Sequence, residues 1–393
     1  MVTVSTVLTA ECTVAGRMRR VNPSRLTGPP TALHLAGAPL PMVGRVRMYV
    51  CGITPYDVTH LGHAATFVWA DAAERVLRRN GHTVTLARNV TDVDEVLFAE
   101  ARRRGEPYSM LATLQRASFE GTMAALRVRV PDHSPTAAQA VGHVIQLAAA
   151  LLDREQAYVA GGSVYARTSG TAARAGLDED RARALAAEYH DEPDDPAKEH
   201  PLDVAVWHAT SGPDDVSWPS PWGDGRPGWH AECAAMVLAL FGPSVDLHCG
   251  GADLAYPHHA CESALAEAAT GVAPFARAWL RAGTVLVGEQ KMAKSTGNLV
   301  LVDDLLRSHP AAAIRLLCLN RPWAQPWAYT PDALDQAAGT LEQLYAAAAR
   351  PGGESDAVLA ALRENLDVPR ALDVALAEGG QAARTLIEVL ALS

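Results

Sequence analysis

Cysteine is scarce in this chain: six in 393 residues, at positions 12, 51, 233, 249, 261 and 318. So thin a scatter is no disulfide scaffold, and in a reducing compartment a cysteine near histidines reads as a metal ligand or a plain core residue. Long apolar runs are missing too; none approaches the ~18 residues a membrane span requires. Nor does the N-terminus carry the basic, apolar, then small-residue order of a secretory signal. The expectation is a cytoplasmic protein with no membrane association. Positive charge is in deficit, with 34 Lys and Arg against 44 Asp and Glu and a formal net charge of −10. That balance argues against a large nucleic-acid surface, where phosphates need clustered cations.

What the chain does have is apolar residues at 49% and charged residues at 20%, ordinary for a soluble globular protein of two or three domains. Residues 1–45 are rich in Pro, Gly, Thr and Ala without periodicity and read as a loose lead-in. A short strand over 46–50 runs into a helical pattern over 62–79, closed by Gly81, and then a second strand over 83–86. Strand, helix, strand at this spacing predicts a βαβ unit and a parallel sheet. Around 100–225 the pattern reads as a mainly helical insertion, with 170–225 polar and turn-rich. Strands at 245–248 and 284–287 resume the sheet around a helix at 258–269, and everything after Ser308 reads helical. The expected architecture is an α/β Rossmann-like nucleotide-binding domain over 46–307 followed by a C-terminal helical bundle over 308–393.

Two short motifs suggest phosphate chemistry. His60-Leu-Gly-His63 sits where the first strand turns into the first helix. A helix start offers unpaired N–H groups and positive dipole, and a glycine lets a ligand approach closely. Lys291-Met-Ala-Lys294-Ser295 lies in a Gly/Ser/Thr-rich loop after the later strand, where mobile ammonium groups could stabilise a leaving pyrophosphate. Alone, the first is more often two surface histidines at a cap and the second a solvated loop. Together, in this order and spacing, they resemble the HIGH and KMSKS motifs of class I aminoacyl-tRNA synthetases, with Ala293 in place of the first serine of the second.

A third constellation concerns a metal. Cys51 lies just before the first motif, Cys233 ends Gly228-Trp-His-Ala-Glu-Cys233, and His258 and Glu262 stand four apart on one helix face. Two thiolates, an imidazole and a carboxylate suit tetrahedral zinc. Their spacing alone leaves the alternative of buried apolar cysteines open.

The segments 48–57, 89–94, 228–233 and 250–259, with the lysine loop, are similar to those of cysteinyl-tRNA synthetases and their relatives over about residues 46–320. Within that group the chain most resembles the shorter mycothiol-pathway ligases, which join cysteine to the amine of glucosaminyl-inositol. The resemblance implies ATP, with Mg²⁺, and L-cysteine as substrates. It implies Zn²⁺ at Cys51, Cys233, His258 and Glu262, holding the substrate thiolate. It further implies a cysteinyl-adenylate pocket lined by Cys51, Gly52, Ile53, Thr54, Thr66, Asn89, Val90, Thr91, Trp229, Gly251, Ala252, Asp253 and Val285. His60, His63, Lys291 and Lys294 would handle the ATP phosphates, and His259 would be structural. The acceptor would be a small amine, with tRNA disfavoured by the acidic balance and by the little chain left for an anticodon-binding domain.

Two departures bear on the acceptor. Glu188-Tyr-His-Asp-Glu-Pro-Asp-Asp-Pro196 stands where the short ligases usually carry E-R-G-G-D-P, and Glu262 matches the synthetases rather than the short ligases. The reading is therefore amide ligation to an amino sugar. Its alternatives are a paralogue serving another amine or a carrier protein, a truncated cysteinyl-tRNA synthetase, and, behind these, a non-enzymatic relative.

Overall fold

The computed structural model describes residues 33–56, 58–212, 215–292 and 296–393. The expected loose lead-in is not loose throughout. Leu33–Leu35 (β1) and Ala38–Leu40 (β2) form an antiparallel ribbon, joined by Ala36 and Gly37, both at positive φ. Leu33, Leu35 and Leu40 are buried, because a period-2 strand puts alternate residues on one face. Three-residue strands are too short to declare themselves as a pattern.

Arg45–Ile53 (β3), Leu61–Arg79 (α1) and Thr83–Val90 (β4) make the expected βαβ unit, with β3 and β4 parallel. Arg78 and Arg79 close α1 favourably for its dipole. Glu95–Arg104 (α2), Tyr108–Ala125 (α3) and Ala137–Asp153 (α4) follow. The insertion is less helical than expected. Ala157–Ala160 (β5), Ser163–Ala166 (β6), Val204–Ala209 (β7) and Gly225–Pro227 (β8) form a four-stranded antiparallel sheet. Thr171–Arg174 (α5) and Glu179–Glu188 (α6) lie between β6 and β7. Gly161 and Gly162, both at positive φ, make the β5–β6 turn, a backbone that L side chains resist.

Trp229–Phe241 (α7), Leu247–Gly251 (β9), a 3-10 turn at Ala252–Ala255, His258–Thr270 (α8) and Trp279–Ala282 (β10) complete the nucleotide-binding layer. The parallel sheet runs β10-β9-β3-β4. The expectation that 284–287 rejoins it is wrong: 279–282 takes that place. Val285–Val287 (β11) instead pairs with Gln290–Lys291 (β12) and, in parallel, with a later strand. Gly283 separates the two, where an added Cβ would stand 2.0 Å from the Gln325 carbonyl oxygen.

The C-terminal part consists of Val302–Ser308 (α9), Ala311–Leu319 (α10), Trp327–Tyr329 (β13), Pro331–Ala348 (α11), Asp356–Arg363 (α12), Val368–Glu378 (α13) and Gly380–Leu390 (α14). β13, the partner of β11, interrupts a stretch expected to be wholly helical. The central sheet separates two apolar cores. Val46, Met48 and Val50 of β3 join the core under α1, α10, α11 and α14, while Tyr49 and Cys51 face the other core with α4, α7 and α8. No described helix is long and apolar enough to cross a membrane.

Candidate active site

A cavity of about 930 Å³ opens at the carboxyl ends of β3, β4, β9 and β10. The strand order reverses between β3 and β9, the place where open parallel sheets bind ligands. Of the residues expected there, Cys51, Gly52, Ile53, Thr54, Thr66, Asn89, Thr91, Trp229, Gly251, Asp253 and Val285 line it, with His60, His63 and Lys291. Val90 and Ala252 do not; the Val90 amide donates to Pro135 O, and Ala252 begins the 3-10 turn. Lys294, with Ala293 and Ser295, lies outside the described residues.

The end of β3 is built by close backbone approach. The Gly52 N–H donates to Asn89 Oδ1 at 2.8 Å, and an added Cβ on Gly52 would fall 1.6 Å from Asn89 O. Asn89 Nδ2 in turn donates to Thr91 Oγ1 at 3.3 Å, and the Thr91 N–H to Ile53 O. β3 and β4 are thus held tightly together under the pocket.

His60 caps α1, its Nδ1 accepting from the Gly62 N–H at 3.1 Å, and its ring stacks on His63 with centroids 3.8 Å apart. The Leu61 N–H donates to Val300 O at 2.8 Å. Two of the first amides of α1 are therefore already satisfied. The helix start offers imidazole edges to a ligand more than the free N–H cradle expected from the motif. Enclosure by the cleft, then the charges of His60 and Lys291, pull His63 below the usual imidazole value. Solvent still reaches the ring, which tempers the first of these effects. Lys291 Nζ pairs with Asp253 Oδ2 at 2.5 Å. Burial lowers the ammonium pKa and Asp253 raises it; the carboxylate wins, so Lys291 stays charged.

On the opposite face of the sheet, Cys51, Cys233, His258 and Glu262 bring their donor atoms within 4.8 Å of one another, all buried. Cys233 projects from α7 four residues after Trp229, and His258 and Glu262 project from one face of α8. Burial pushes the Cys51 thiol up, while its hydrogen bond to Cys233 outweighs burial and holds Cys233 low. Burial lowers His258 to about 3, leaving a neutral ligand-competent ring. Both Glu262 oxygens are buried without a hydrogen-bond donor among the described residues. His248 Nε2 comes within 3.1 Å of Oε1, but without the alignment of a hydrogen bond. A buried carboxylate left so is costly unless a cation neutralises it, and the two-sulfur donor set suits zinc. Cys51, His248, His259 and Glu262 form an overlapping cluster. It offers one thiolate rather than two, its rings pack against Trp279, and Arg281 Nε donates to His259 Nδ1. The donor chemistry thus favours the first set as the candidate metal site, with His248 and His259 packed beside it.

Sequence reasoning missed several groups. His230 Nδ1 lies 2.9 Å from His258 Nδ1, and His230 Nε2 lies 2.9 Å from Asp191 Oδ2. Tyr189 stacks on Trp229 and its hydroxyl donates to Asp253 O, while Trp229 stacks on His258 at 4.2 Å. His230 sat inside a recognised segment, and Tyr189 and Asp191 inside the segment singled out as divergent. For His248 the available signal was period-2 alternation, which puts it on the same sheet face as Tyr49 and Cys51. Val96, Ala99, Glu100 and Arg103 of α2 form a further cavity wall that nothing in the sequence announced.

A parallel sheet with a cavity at its carboxyl edge, paired histidines at a helix start and a lysine loop beyond defines the nucleotide-binding domain of a class I synthetase. The chain belongs to that family: the tRNA synthetases class I (C) catalytic domain matches residues 40–339. A "Cysteine--tRNA ligase" of Dehalococcoides mccartyi is 41% identical over 307 residues, 78% of this chain and 67% of the relative. An "L-cysteine:1D-myo-inositol 2-amino-2-deoxy-alpha-D-glucopyranoside ligase" of Parafrankia sp. is 43% identical over 336 residues, 83% of this chain and 76% of the relative. A protein of the same name in Thermobispora bispora is 41% identical, covering 84% of this chain and 83% of its own. The fold is similar to that of Mycobacterium tuberculosis methionyl-tRNA synthetase, solved with methionyl-adenylate, at a TM-score of 0.58 and 18% identity over 89% of this chain and 82% of that one.

Proposed function

We propose that this protein is an ATP-dependent ligase that activates L-cysteine as its adenylate and passes the cysteinyl group to an amine. The observation that carries the reading is the buried Cys51, Cys233, His258 and Glu262 cluster, three of whose donors line the cavity shared with His60, His63 and Lys291. The four side chains would hold zinc, which when bound supplies direct recognition of a substrate thiolate. That chemistry separates cysteine from serine, two isosteres that pocket packing alone discriminates poorly.

The chain's own residues do the rest. Trp229, fixed between Tyr189 and His258, walls the pocket floor, and Asp253 offers a carboxylate to the substrate ammonium. A carboxylate oxygen of cysteine attacks the α-phosphorus of ATP, forming the mixed anhydride as the bond to pyrophosphate breaks. His60, His63, Lys291 and Lys294 stabilise the charge moving onto that leaving group, with Mg²⁺ accompanying ATP. The acceptor nitrogen then attacks the carbonyl carbon; the amide forms, AMP leaves and a proton is lost from the nitrogen.

For the acceptor we take the amine of glucosaminyl-inositol, supported by the names of the Parafrankia and Thermobispora relatives and by the net charge of −10. Glu262 in the donor cluster and the Dehalococcoides relative favour tRNA as the second reading. ATP–pyrophosphate exchange dependent on cysteine and silent with serine is the expected result; no exchange in zinc-replete protein removes the claim. AMP release stimulated by glucosaminyl-inositol supports the first acceptor, and release stimulated only by tRNA or by another amine overturns it.

A further inference from the structure

We infer that Asp191, acting through His230, is a positioning residue that selects which ring nitrogen His258 presents to the metal. The inference rests on the zinc reading of the cluster. His230 is 1% exposed and sits between two partners: Asp191 carboxylate oxygens at 2.9 and 3.0 Å from Nε2, and His258 Nδ1 at 2.9 Å from its own Nδ1. A carboxylate only accepts, so His230 Nε2 carries the hydrogen and donates to Asp191. In a neutral ring Nδ1 is then a bare acceptor. His258 must donate to it from Nδ1, which leaves the lone pair of His258 on Nε2. The tautomer of the ligand is thereby set by a carboxylate two hydrogen bonds away.

The parts of this relay are themselves held. His190, at a φ of 63°, turns the chain out of α6, and the Asp191 N–H donates to Ala186 O at 2.9 Å. Lys198 Nζ donates to the Asp191 carbonyl. Trp229 lies flat on the His258 ring at 4.2 Å, which blocks rotation away from His230. On the other side of the cluster His248 Nε2 stands 3.1 Å from Glu262 Oε1 without a hydrogen bond, so the relay serves His258 alone. Such outer partners orient ligating imidazoles and raise their basicity, and losing one costs about 10–100-fold in metal affinity.

The test uses the full chain as Asp191→Ala and Asp191→Asn, with Cys233→Ala as reference. The zinc dissociation constant is read by chelator competition, and the ligand field by the visible bands of the Co²⁺-substituted protein. Asp191→Ala is expected to bind zinc about 10–100-fold more weakly. Its cobalt d–d bands should shift while thiolate-to-cobalt absorption persists. Asp191→Asn, which keeps an acceptor oxygen, should recover part of the loss. Unchanged affinity and an unchanged cobalt spectrum in Asp191→Ala, with zinc lost in Cys233→Ala, overturn the inference and leave the metal reading standing. A lower melting temperature with unchanged affinity also overturns it, since the role is then structural alone. A wild-type protein that binds no zinc removes both.

Discussion

Asp71→Asn tests how the motif-bearing helix is tied to the rest of the protein. Asp71 of α1 and Arg315 of α10 are 1% and 0% exposed, with Arg315 Nη2 donating to Asp71 Oδ2 at 2.6 Å. Arg315 also donates to Leu390 O and Leu126 O, both at 2.9 Å, so one guanidinium joins α1, the end of α3 and α14. Asp71 further accepts from Arg75 Nε at 2.7 Å and the Arg129 N–H at 2.9 Å. Asparagine keeps the volume and one acceptor oxygen but strands a buried cation, a loss of about 3–5 kcal/mol. Against a typical total of about 5–15 kcal/mol this is a large share of the stability. Adding Arg315→Met removes the stranded charge and should recover part of the loss. Recovery stays incomplete because two buried carbonyls lose their donor, at about 1–3 kcal/mol each. Equilibrium denaturation followed by tryptophan fluorescence, arranged as a double-mutant cycle, reads these values. Asp71 lies about three helical turns from His60, so exchange by the folded variant should change little. A cost below about 1 kcal/mol for Asp71→Asn, with no coupling to Arg315→Met, refutes the assignment of this pair as a buried tie.

Cys51→Ala and Cys233→Ala should each lose zinc by elemental analysis and lose cysteine-dependent exchange, while Cys318→Ala, buried in the other core, should keep both; stoichiometric zinc with normal exchange in Cys233→Ala sinks the ligand assignment. Lys291→Ala should lower the exchange rate about 100–1000-fold with little change in protein stability, because its ammonium pairs with Asp253 from the exposed short strand β12; exchange within a few-fold of wild type would mean that Lys291 does not meet the leaving group. His63 should remain neutral well below the usual imidazole value, so it should produce no break near pH 6.5 in the exchange profile. The unfolded chain takes up this proton below about pH 6.5 and the folded one only at lower pH, so the group's contribution to stability falls as pH drops through that window. A His63 imidazole resonance titrating near 6.5 in the folded protein counts against its depression by the cleft and by the neighbouring His60 and Lys291.

The first βαβ unit was readable because its apolar periodicity is long: α1 carries its pattern through nineteen residues between two strands. Strands of three or four residues carry too little pattern to assign. That is why β1, β2 and β13 passed unnoticed, and why β11 was placed in the sheet position that β10 occupies. The pocket-lining residues were reached through resemblance, and Val90 shows the limit of that route. It stands between two residues that line the cavity yet does not line it itself; it is buried, and its N–H is taken by Pro135 O.

By itself, the order of residues determined the nucleotide-binding βαβ start and the i, i+4 pairing of His258 with Glu262. These depend on periodicity and on backbone sterics, which act over a few residues. Only the tertiary structure decided that Cys51 turns away from α1 and meets α7 and α8 on the far side of the sheet. It also decided that Asp191 reaches His258 through His230. Those contacts join positions tens to hundreds of residues apart, and they exist because strands β9 and β3 pair and α7 and α8 bury their apolar faces together.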